Sequence, residues 1–232
     1  MNAPGELIAL HVELLYRLDA GRRLVQTNEP DPQPAPRVFV GRTEDGVVVH
    51  PRHDLDPALA AEVVRLAGQL PRYPEGRGEA ASYAPIEAAV AAAAPVVSRW
   101  HGLAYRFAEP SGDQHPEVIE IAGDRSALVG PFAEFQSELD EVAPFFAVVR
   151  DGAVVSGCYS ARLTGAGAEA GVDTLPAFRG QGLAAAVVDA WRVAIARSGR
   201  TPLYSTSYDN AASQAVARRL GLVQYAETLS LR

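Results

Sequence analysis

The segment from residue 168 to residue 197 constrains the fold of this chain more than any other. An alternating strand pattern at 168–175 leads through Pro176 into Phe-Arg-Gly-Gln-Gly, and an amphipathic helix begins at about Gly182. Gly180 and Gly182 have no Cβ, so the backbone can approach a bulky ligand closely. N–H groups of the first helical turn point outward and attract anions. The segment therefore predicts a phosphate site, and its Arg and two Gly within four positions disfavour the alternative of a plain turn.

The residues around this segment predict a mixed sheet. Strand patterns occur at 118–121, 145–149, 153–161, 168–175, 201–207 and 223–231, and helix patterns at 128–139, 182–197 and 210–220. Asp151-Gly152 predicts a hairpin between two of the strands. A run of turn formers at 111–116 is the predicted boundary of this region.

Residues 1–115 form a separate α+β region in this interpretation. Helices are predicted at about 7–18, 57–70 and 86–97, a hairpin at 38–49 around Glu44-Asp45-Gly46, and a strand at 103–107. No motif gives this region a role. We expect it either to complete an acceptor pocket or to form the contacts of a homodimer.

Composition excludes several classes of chemistry. All 21 basic residues are Arg, which excludes a catalytic Lys and a Walker A lysine, and the net charge of -7 disfavours a nucleic-acid partner. Cys158 is the sole cysteine and is expected in the core. His50 and His53 have no third ligand at a metal spacing, so no metal is expected. The absence of a signal-peptide pattern and of a long apolar run favours a cytoplasmic location without membrane contact.

The loop resembles the pyrophosphate loop of the GNAT superfamily of N-acetyltransferases. Arg179, Gly182 and Ala184 in Arg-Gly-Gln-Gly-Leu-Ala match the pattern Arg/Gln-x-x-Gly-x-Gly/Ala. The likeness continues through Pro176, Phe178, Asn210 and Leu220-Gly221-Leu222 and covers about residues 116–232. It implies a mixed α/β domain whose central sheet contains splayed parallel strands flanked by helices. It also implies acetyl-CoA as the co-substrate.

The same resemblance implies a set of donor-binding residues. Backbone groups of one strand would contact the pantetheine arm, the loop and first helical turn would bind the pyrophosphate, and the side chain before the last helix would contact the arm. These residues are Val172, Asp173 and Thr174; Arg179, Gly180, Gln181, Gly182, Leu183 and Ala184; and Asn210. Asn210 is also a good helix N-cap, and the sequence does not separate the two roles.

A dinucleotide-binding site is the competing interpretation of the loop. Gly180, Gly182 and Ala185 satisfy the loose pattern Gly-x-Gly-x-x-Ala. A Rossmann motif needs its first Gly directly after the strand and an acidic residue about 20 positions further on. Here Pro-Ala-Phe-Arg intervenes and the next strand ends at Asp209, which disfavours NAD.

Glu169 is the candidate general base. An alkyl ammonium has a pKa of about 10, so the amine must lose a proton before it attacks a thioester. Strand alternation places Glu169, Gly171 and Asp173 on one face, where carboxylates are costly unless they face a cleft or a partner. The alternative is an ion pair with an arginine. A backbone N–H near Val172 would hold the developing oxyanion.

The general acid departs from the family pattern. Many members carry Tyr where this chain has Ala217, and Tyr204, Tyr208 and Ser213 are the nearby candidates. A thiolate with a pKa of about 8.5 can also leave without an acid. The acidic run at 134–141 could face a cationic acceptor, but a solvated helix face is favoured.

The sequence therefore predicts acetyl transfer from acetyl-CoA to a primary amine of a small molecule or peptide, by direct attack and without an acyl-enzyme. Longer acyl donors stay open. Two other classes stay open as well: a non-catalytic acyl-CoA sensor, and a nucleotide-dependent oxidoreductase.

Overall fold

A computed structural model of the chain describes residues 3–29, 31–75, 82–108 and 117–232. The chain forms two compact units. The first contains Met1–Tyr105, Ser205–Asn210 and Gln224–Arg232, and the second contains Arg106–Tyr204 and Ala211–Val223. The predicted boundary at 111–116 lies outside the described residues and stays a prediction.

The elements of the first unit are mostly N-terminal. Its helices are α1 (Pro4–Leu15), α2 (Pro57–Ala67) and α3 (Ala84–Ala93). Its strands are β1 (Tyr16–Leu18), β2 (Leu24–Thr27), β3 (Val38–Thr43), β4 (Val47–Pro51), β5 (Arg99–Arg106) and most of β11 (Val223–Leu231). β1 and β2 pair with each other, and the other strands follow the order β4-β3-β11-β5.

The second unit contains the phosphate-loop segment. Its helices are α4 (Phe135–Val142), α5 (Leu183–Arg197) and α6 (Ala211–Arg219). Its strands are β6 (Val118–Ile121), β7 (Phe145–Arg150), β8 (Ala153–Leu163), β9 (Gly167–Thr174) and the start of β10 (Thr201–Ser207). They follow the order β10-β9-β8-β7-β6, in which β10 is parallel to β9 and the other pairs are antiparallel.

Particular side chains of the first unit explain where α2 begins and how α2 and α3 pack. The Asp56 carboxylate caps α2 by accepting the N–H groups of Ala58 and Leu59 at 2.9 and 3.0 Å, and Pro57 occupies the first turn. The helices α2 and α3 bury apolar side chains against β3 and β11. This core contains Val38, Val40, Val63, Ala67, Tyr83, Ile86, Val90, Leu229 and Leu231.

Two features of the second unit fix the register around β8. Asp151 and Gly152 have φ of 51° and 76°, as a two-residue hairpin turn between β7 and β8 requires. Aromatic rings from the segment before β7 then cover one face of these strands. The buried cluster includes Phe132, Phe135 and Phe145, with Tyr159 of β8 packed against it.

The predicted fold class is confirmed, and most of the predicted elements are present with shifted ends. The helix predicted at about 7–18 is wrong at its end, because α1 ends at Leu15 and Tyr16–Leu18 form β1. The helix predicted at 128–139 is wrong in its first half: Gly130 has φ of 59° and Pro131 lacks an N–H, so a 3-10 turn stands there and α4 begins at Phe135. The helix predicted at 86–97 ends at Ala93 because Ala94 is extended before Pro95. No helix of the described residues is both long and apolar enough to span a bilayer.

Gly157 of β8 provides a test of this packing. A Cβ at Gly157 would lie 2.7 and 2.9 Å from two ring atoms of Phe145, which is fully buried. We expect Gly157→Ala to lower the free energy of unfolding by about 1–3 kcal/mol, because the aromatic cluster would have to move. Urea denaturation measures this. The matched control is Gly165→Ala, since no atom lies within 4 Å of that Cβ position; equal effects of the two substitutions would contradict the packing described.

Candidate functional site

The N-terminus of α5 is the best-formed candidate site of the second unit. β9 ends at Thr174, a 3-10 turn follows at Pro176–Phe178, and Gly180 and Gly182 take left-handed φ values of 77° and 84°. Gly182 is the N-cap residue of α5, and it has no side chain with which to cap the helix. The N–H groups of the first turn are therefore available to an anionic ligand.

Two arginines supply positive charge next to this turn. Arg179 is exposed, and its Nε donates to the carbonyl oxygen of Thr174 at 3.1 Å, which leaves the two terminal nitrogens of the guanidinium for a ligand. Arg219, at the end of α6, covers Gly182: a Cβ at Gly182 would lie 2.7 Å from Nη2 of Arg219. A side chain at position 182 would push this guanidinium away.

Arg219 is a residue that the sequence analysis missed. The signal available was weak, because two adjacent arginines, Arg218 and Arg219, end the helix and only the fold decides which of them turns toward Gly182. The other residues of the predicted loop differ in exposure. Gln181 is exposed and Leu183 is buried, so Leu183 can contribute only its backbone to a ligand.

The end of β9 leads directly into this turn. β9 pairs with β8 as far as Thr174, and its parallel pairs with β10 inside the second unit run from Gly167 with Thr201 to Glu169 with Leu203. Val172 and Thr174 are half-buried and Asp173 is exposed. The splay of the two parallel strands beyond these pairs stays a prediction.

Asn210 belongs to the first unit. It is exposed and precedes α6, which begins at Ala211, and its N–H donates to the carbonyl oxygen of Ser207 at 3.2 Å. Its position at the start of a helix agrees with either of the two roles predicted for it.

Glu169, the predicted base, is buried and paired. Its Oε2 lies 2.7 Å from Nη1 of Arg162, and 3% of its side chain is exposed. This ion pair with an arginine is the alternative role that the sequence left open for Glu169. A guanidinium favours the ionised form of a carboxylate and occupies one of its oxygens, which weakens the group as a proton acceptor.

The structure separates the three candidates for the general acid. Tyr204 and Ser213 belong together in the second unit, where their hydroxyl oxygens lie 2.6 Å apart and Tyr204 is 1% exposed. Tyr208 lies in the first unit and donates to Glu227 at 2.5 Å. Ala217, at the family's Tyr position, is buried.

Other residues singled out in the sequence prove to be structural. Cys158 is buried as predicted, and burial raises the pKa of its thiol well above the usual value, which makes it a poor nucleophile. The acidic residues of the 134–141 run are exposed on one face of α4, as favoured above. His50 Nδ1 lies 2.8 Å from the carbonyl oxygen of Arg22, and burial lowers the pKa of His50. Within the described ranges no group of three ligands is placed to hold a metal ion.

Comparison with known proteins is consistent with the geometry. Residues 128–228 match a family model described as GNAT acetyltransferase. The fold is similar to that of an acetyltransferase of the GNAT family from Colwellia psychrerythraea, with a TM-score of 0.51 and 12% identity over 100% of this chain and 97% of that one. No curated protein matches the sequence.

Two further solved structures are similar over different lengths. A GCN5-related N-acetyltransferase from Kribbella flavida has a TM-score of 0.45 and 18% identity, over 100% of this chain and 95% of that one. A GNAT-family protein from Novosphingobium aromaticivorans has a TM-score of 0.46 and 21% identity, over 59% of this chain. This chain covers 65% of the Novosphingobium protein, slightly less than two thirds of its length.

Proposed function

We propose that this chain, which belongs to the GNAT superfamily through residues 128–228, transfers an acetyl group from acetyl-CoA to the primary amine of a small molecule or peptide. The activity is proposed to be cytoplasmic and to need no metal. The observation that carries the proposal is the N-terminus of α5, where Gly182 leaves the first-turn N–H groups without a side-chain cap and two guanidinium groups lie next to them.

The charges at this turn suit a pyrophosphate. The first-turn N–H groups and the helix dipole attract an anion, and Gly180 and Gly182 keep Cβ atoms out of its approach. Arg179 would contact the same phosphates, and Arg219, which covers Gly182, would add a second positive charge. Arginine suits this role because its planar guanidinium can donate two parallel hydrogen bonds to phosphate oxygens.

The end of β9 next to this turn is the proposed contact of the pantetheine arm. Backbone groups of Val172, Asp173 and Thr174 would hydrogen-bond its amides, since this end of the strand leads into the turn of Gly180 and Gly182. The side chain of Asn210 is proposed to contact the same arm. A backbone N–H near Val172 would stabilise the oxyanion that forms on the thioester carbonyl.

The reaction proposed is direct attack by the free amine. The amine nitrogen forms a bond to the thioester carbon, the C–S bond breaks, and CoA leaves as a thiolate. Tyr204 and Ser213, whose hydroxyl oxygens lie 2.6 Å apart, form the hydroxyl pair proposed to supply a proton to that sulfur. Cys158 is buried and so offers no route through an acyl-enzyme.

A second candidate function is an acyl-CoA sensor without turnover. It is favoured by Ala217, which replaces the family's Tyr, and by the Arg162 partner of the predicted base Glu169. The two functions share the donor site and differ in whether an amine is acetylated.

Release of free CoA thiol tests the proposal. Purified protein is incubated with acetyl-CoA and panels of small amines and of peptides with free N-termini, and the thiol is measured over time. The proposal predicts amine-dependent release and an acetylated product of the expected mass. Tight acetyl-CoA binding with no release on any amine would instead assign the sensor function.

Two substitutions in the donor loop should strongly weaken the binding of acetyl-CoA. We expect Arg179→Ala combined with Gly182→Val to weaken acetyl-CoA binding by about 100-fold or more, because two charge-assisted contacts are lost and a side chain enters the turn. Calorimetry measures the affinity. Wild-type affinity in this variant, with an unchanged circular dichroism spectrum, would overturn the assignment of the loop.

Arg219 should contribute in a way that its neighbour does not. We expect Arg219→Ala to weaken acetyl-CoA binding by about fivefold, a modest loss because the side chain is exposed to solvent. Arg218→Ala is the matched control, since it removes the same charge from the adjacent exposed position. Equal losses in the two variants would show a general charge effect instead of a contact at Gly182.

The role of Glu169 as base stays a proposal that its ion pair disfavours. We expect Glu169→Gln to lower the free energy of unfolding by about 1–3 kcal/mol, because the partly buried Arg162 guanidinium loses its counter-charge. Turnover should change by less than about threefold. If turnover instead falls by about 100-fold while stability and acetyl-CoA affinity persist, Glu169 is the base.

A further inference from the structure

The exposed carboxylate of Asp173 lies on the face of β9 that also carries Glu169 and Gly171. The two carboxylates of this face have different surroundings. Glu169 is buried and paired with Arg162 at 2.7 Å. Among the described residues, Asp173 has no arginine within ion-pair distance, and its sole side-chain partner is the Tyr159 hydroxyl. Asp173 is thus the carboxylate of this face that is open to a positively charged ligand.

Gly171 makes room for the Tyr159 side chain to reach Asp173. Tyr159 of β8 stands opposite Gly171 in the register of the two strands. A Cβ at Gly171 would lie 2.5 and 2.6 Å from two ring atoms of Tyr159, and Gly171 has no left-handed φ, so space for the ring is what this glycine provides. The Tyr159 hydroxyl then donates to Oδ2 of Asp173 at 3.4 Å.

The aromatic core of the second unit holds the ring of Tyr159. The ring centroid of Phe135 lies 4.5 Å away and that of Phe145 lies 5.9 Å away, and both phenylalanines are buried. Burial, and then the charge of Asp173, raise the pKa of Tyr159, so its hydroxyl stays protonated and can donate. The partner of the Asp173 carboxylate is therefore fixed before any ligand arrives.

Asp173 lies next to the residues proposed to bind the donor. The carbonyl oxygen of Thr174, the next residue, accepts Nε of Arg179 at 3.1 Å, and Arg179 belongs to the loop proposed to bind the pyrophosphate. Val172, the preceding residue, is the one near which the oxyanion is proposed to form. These residues and Tyr159 all belong to the second unit. A cation bound by Asp173 would therefore lie beside the proposed thioester.

We propose that the Asp173 carboxylate binds the ammonium group of the acceptor and that Tyr159 is the residue that positions this carboxylate; this rests on the proposed function. An ammonium group donates hydrogen bonds to a carboxylate and is attracted to the face of an aromatic ring. The site therefore selects acceptors that arrive with a positive charge over uncharged compounds of the same shape. The side chain of Asp173 would bind the acceptor, whereas its backbone is proposed to contact the pantetheine arm.

The Michaelis constant for the amine tests this site. Thiol release is measured at saturating acetyl-CoA with the primary amine that the wild type acetylates fastest. We expect Asp173→Asn to raise KM for that amine by about 30-fold or more and to leave acetyl-CoA affinity within about twofold of the wild type, because the side chain loses its charge and the backbone is kept.

Asp151→Asn is the matched control for this substitution. Asp151 is exposed in the hairpin between β7 and β8 of the second unit, and Asn tolerates its φ of 51°. The control removes the same charge and should leave KM for the amine unchanged. A wild-type KM in Asp173→Asn, or an equal rise of KM in the two variants, would overturn the proposed site.

Removal of the Tyr159 hydroxyl tests the positioning role. Tyr159→Phe keeps the ring in the core but loses the hydrogen bond to Asp173. We expect KM for the amine to rise by about threefold to tenfold and kcat to change by less than about twofold, a difference that a loss of packing alone would not produce. The hydroxyl acts through the carboxylate, so its removal should matter less in the Asp173→Asn variant. Fully additive effects would overturn the positioning role.

Binding without turnover keeps the two proposals distinguishable. Calorimetry of the protein saturated with free CoA compares n-butylamine and benzylamine with n-butanol and benzyl alcohol. We expect the wild type to bind the amines more tightly than the alcohols, and this preference to disappear in Asp173→Asn. No preference in the wild type, or the same preference in the variant, would overturn the Asp173 site. If the wild type released no thiol with any amine, the proposed acetyl transfer would fail instead, whatever the calorimetry showed.

Discussion

The uncapped N–H groups at the start of α5 are the feature on which the proposed function of the second unit depends. Left-handed φ values at Gly180 and Gly182 turn the chain from β9 directly into the helix. The turn leaves first-turn N–H groups that no side chain caps; Arg179 bonds the Thr174 carbonyl just before the turn, and Arg219 covers Gly182. The helix is long, at 15 residues, and its buried stripe around Trp191 anchors it firmly. The groups that would meet phosphate are therefore held in place before a ligand arrives.

Among the described residues, each unit buries a carboxylate next to an arginine, and the two carboxylates have different surroundings. Glu169 meets Arg162 at 2.7 Å, which disfavours its use as a base. Glu227 meets Arg42 at 3.0 Å and also lies within hydrogen-bond distance of the side chains of Tyr83, His101 and Tyr208.

The sequence predicted the order of elements well because the second unit follows short-range rules. Asp151-Gly152 fixes a hairpin, and Gly180 with Gly182 fixes the turn into α5. It failed at 128–139, where Gly130 and Pro131 override an apolar pattern. It could not find Arg219, because the choice between adjacent arginines depends on helix packing. The buried pair of Arg42 and Glu227 could not be found from the sequence either, because the two residues are 185 positions apart and its sole local sign was a charged residue within an apolar strand.

The most direct test of the central claim is calorimetric titration of the wild-type protein with acetyl-CoA, free CoA and NAD in parallel. The proposed donor site predicts micromolar binding of both CoA species and no binding of NAD, since the pantetheine arm, which NAD lacks, is proposed to run along β9. Absence of binding by either CoA species would contradict it, because Arg179, Gly180 and Gly182 would then form only a turn between a strand and a helix.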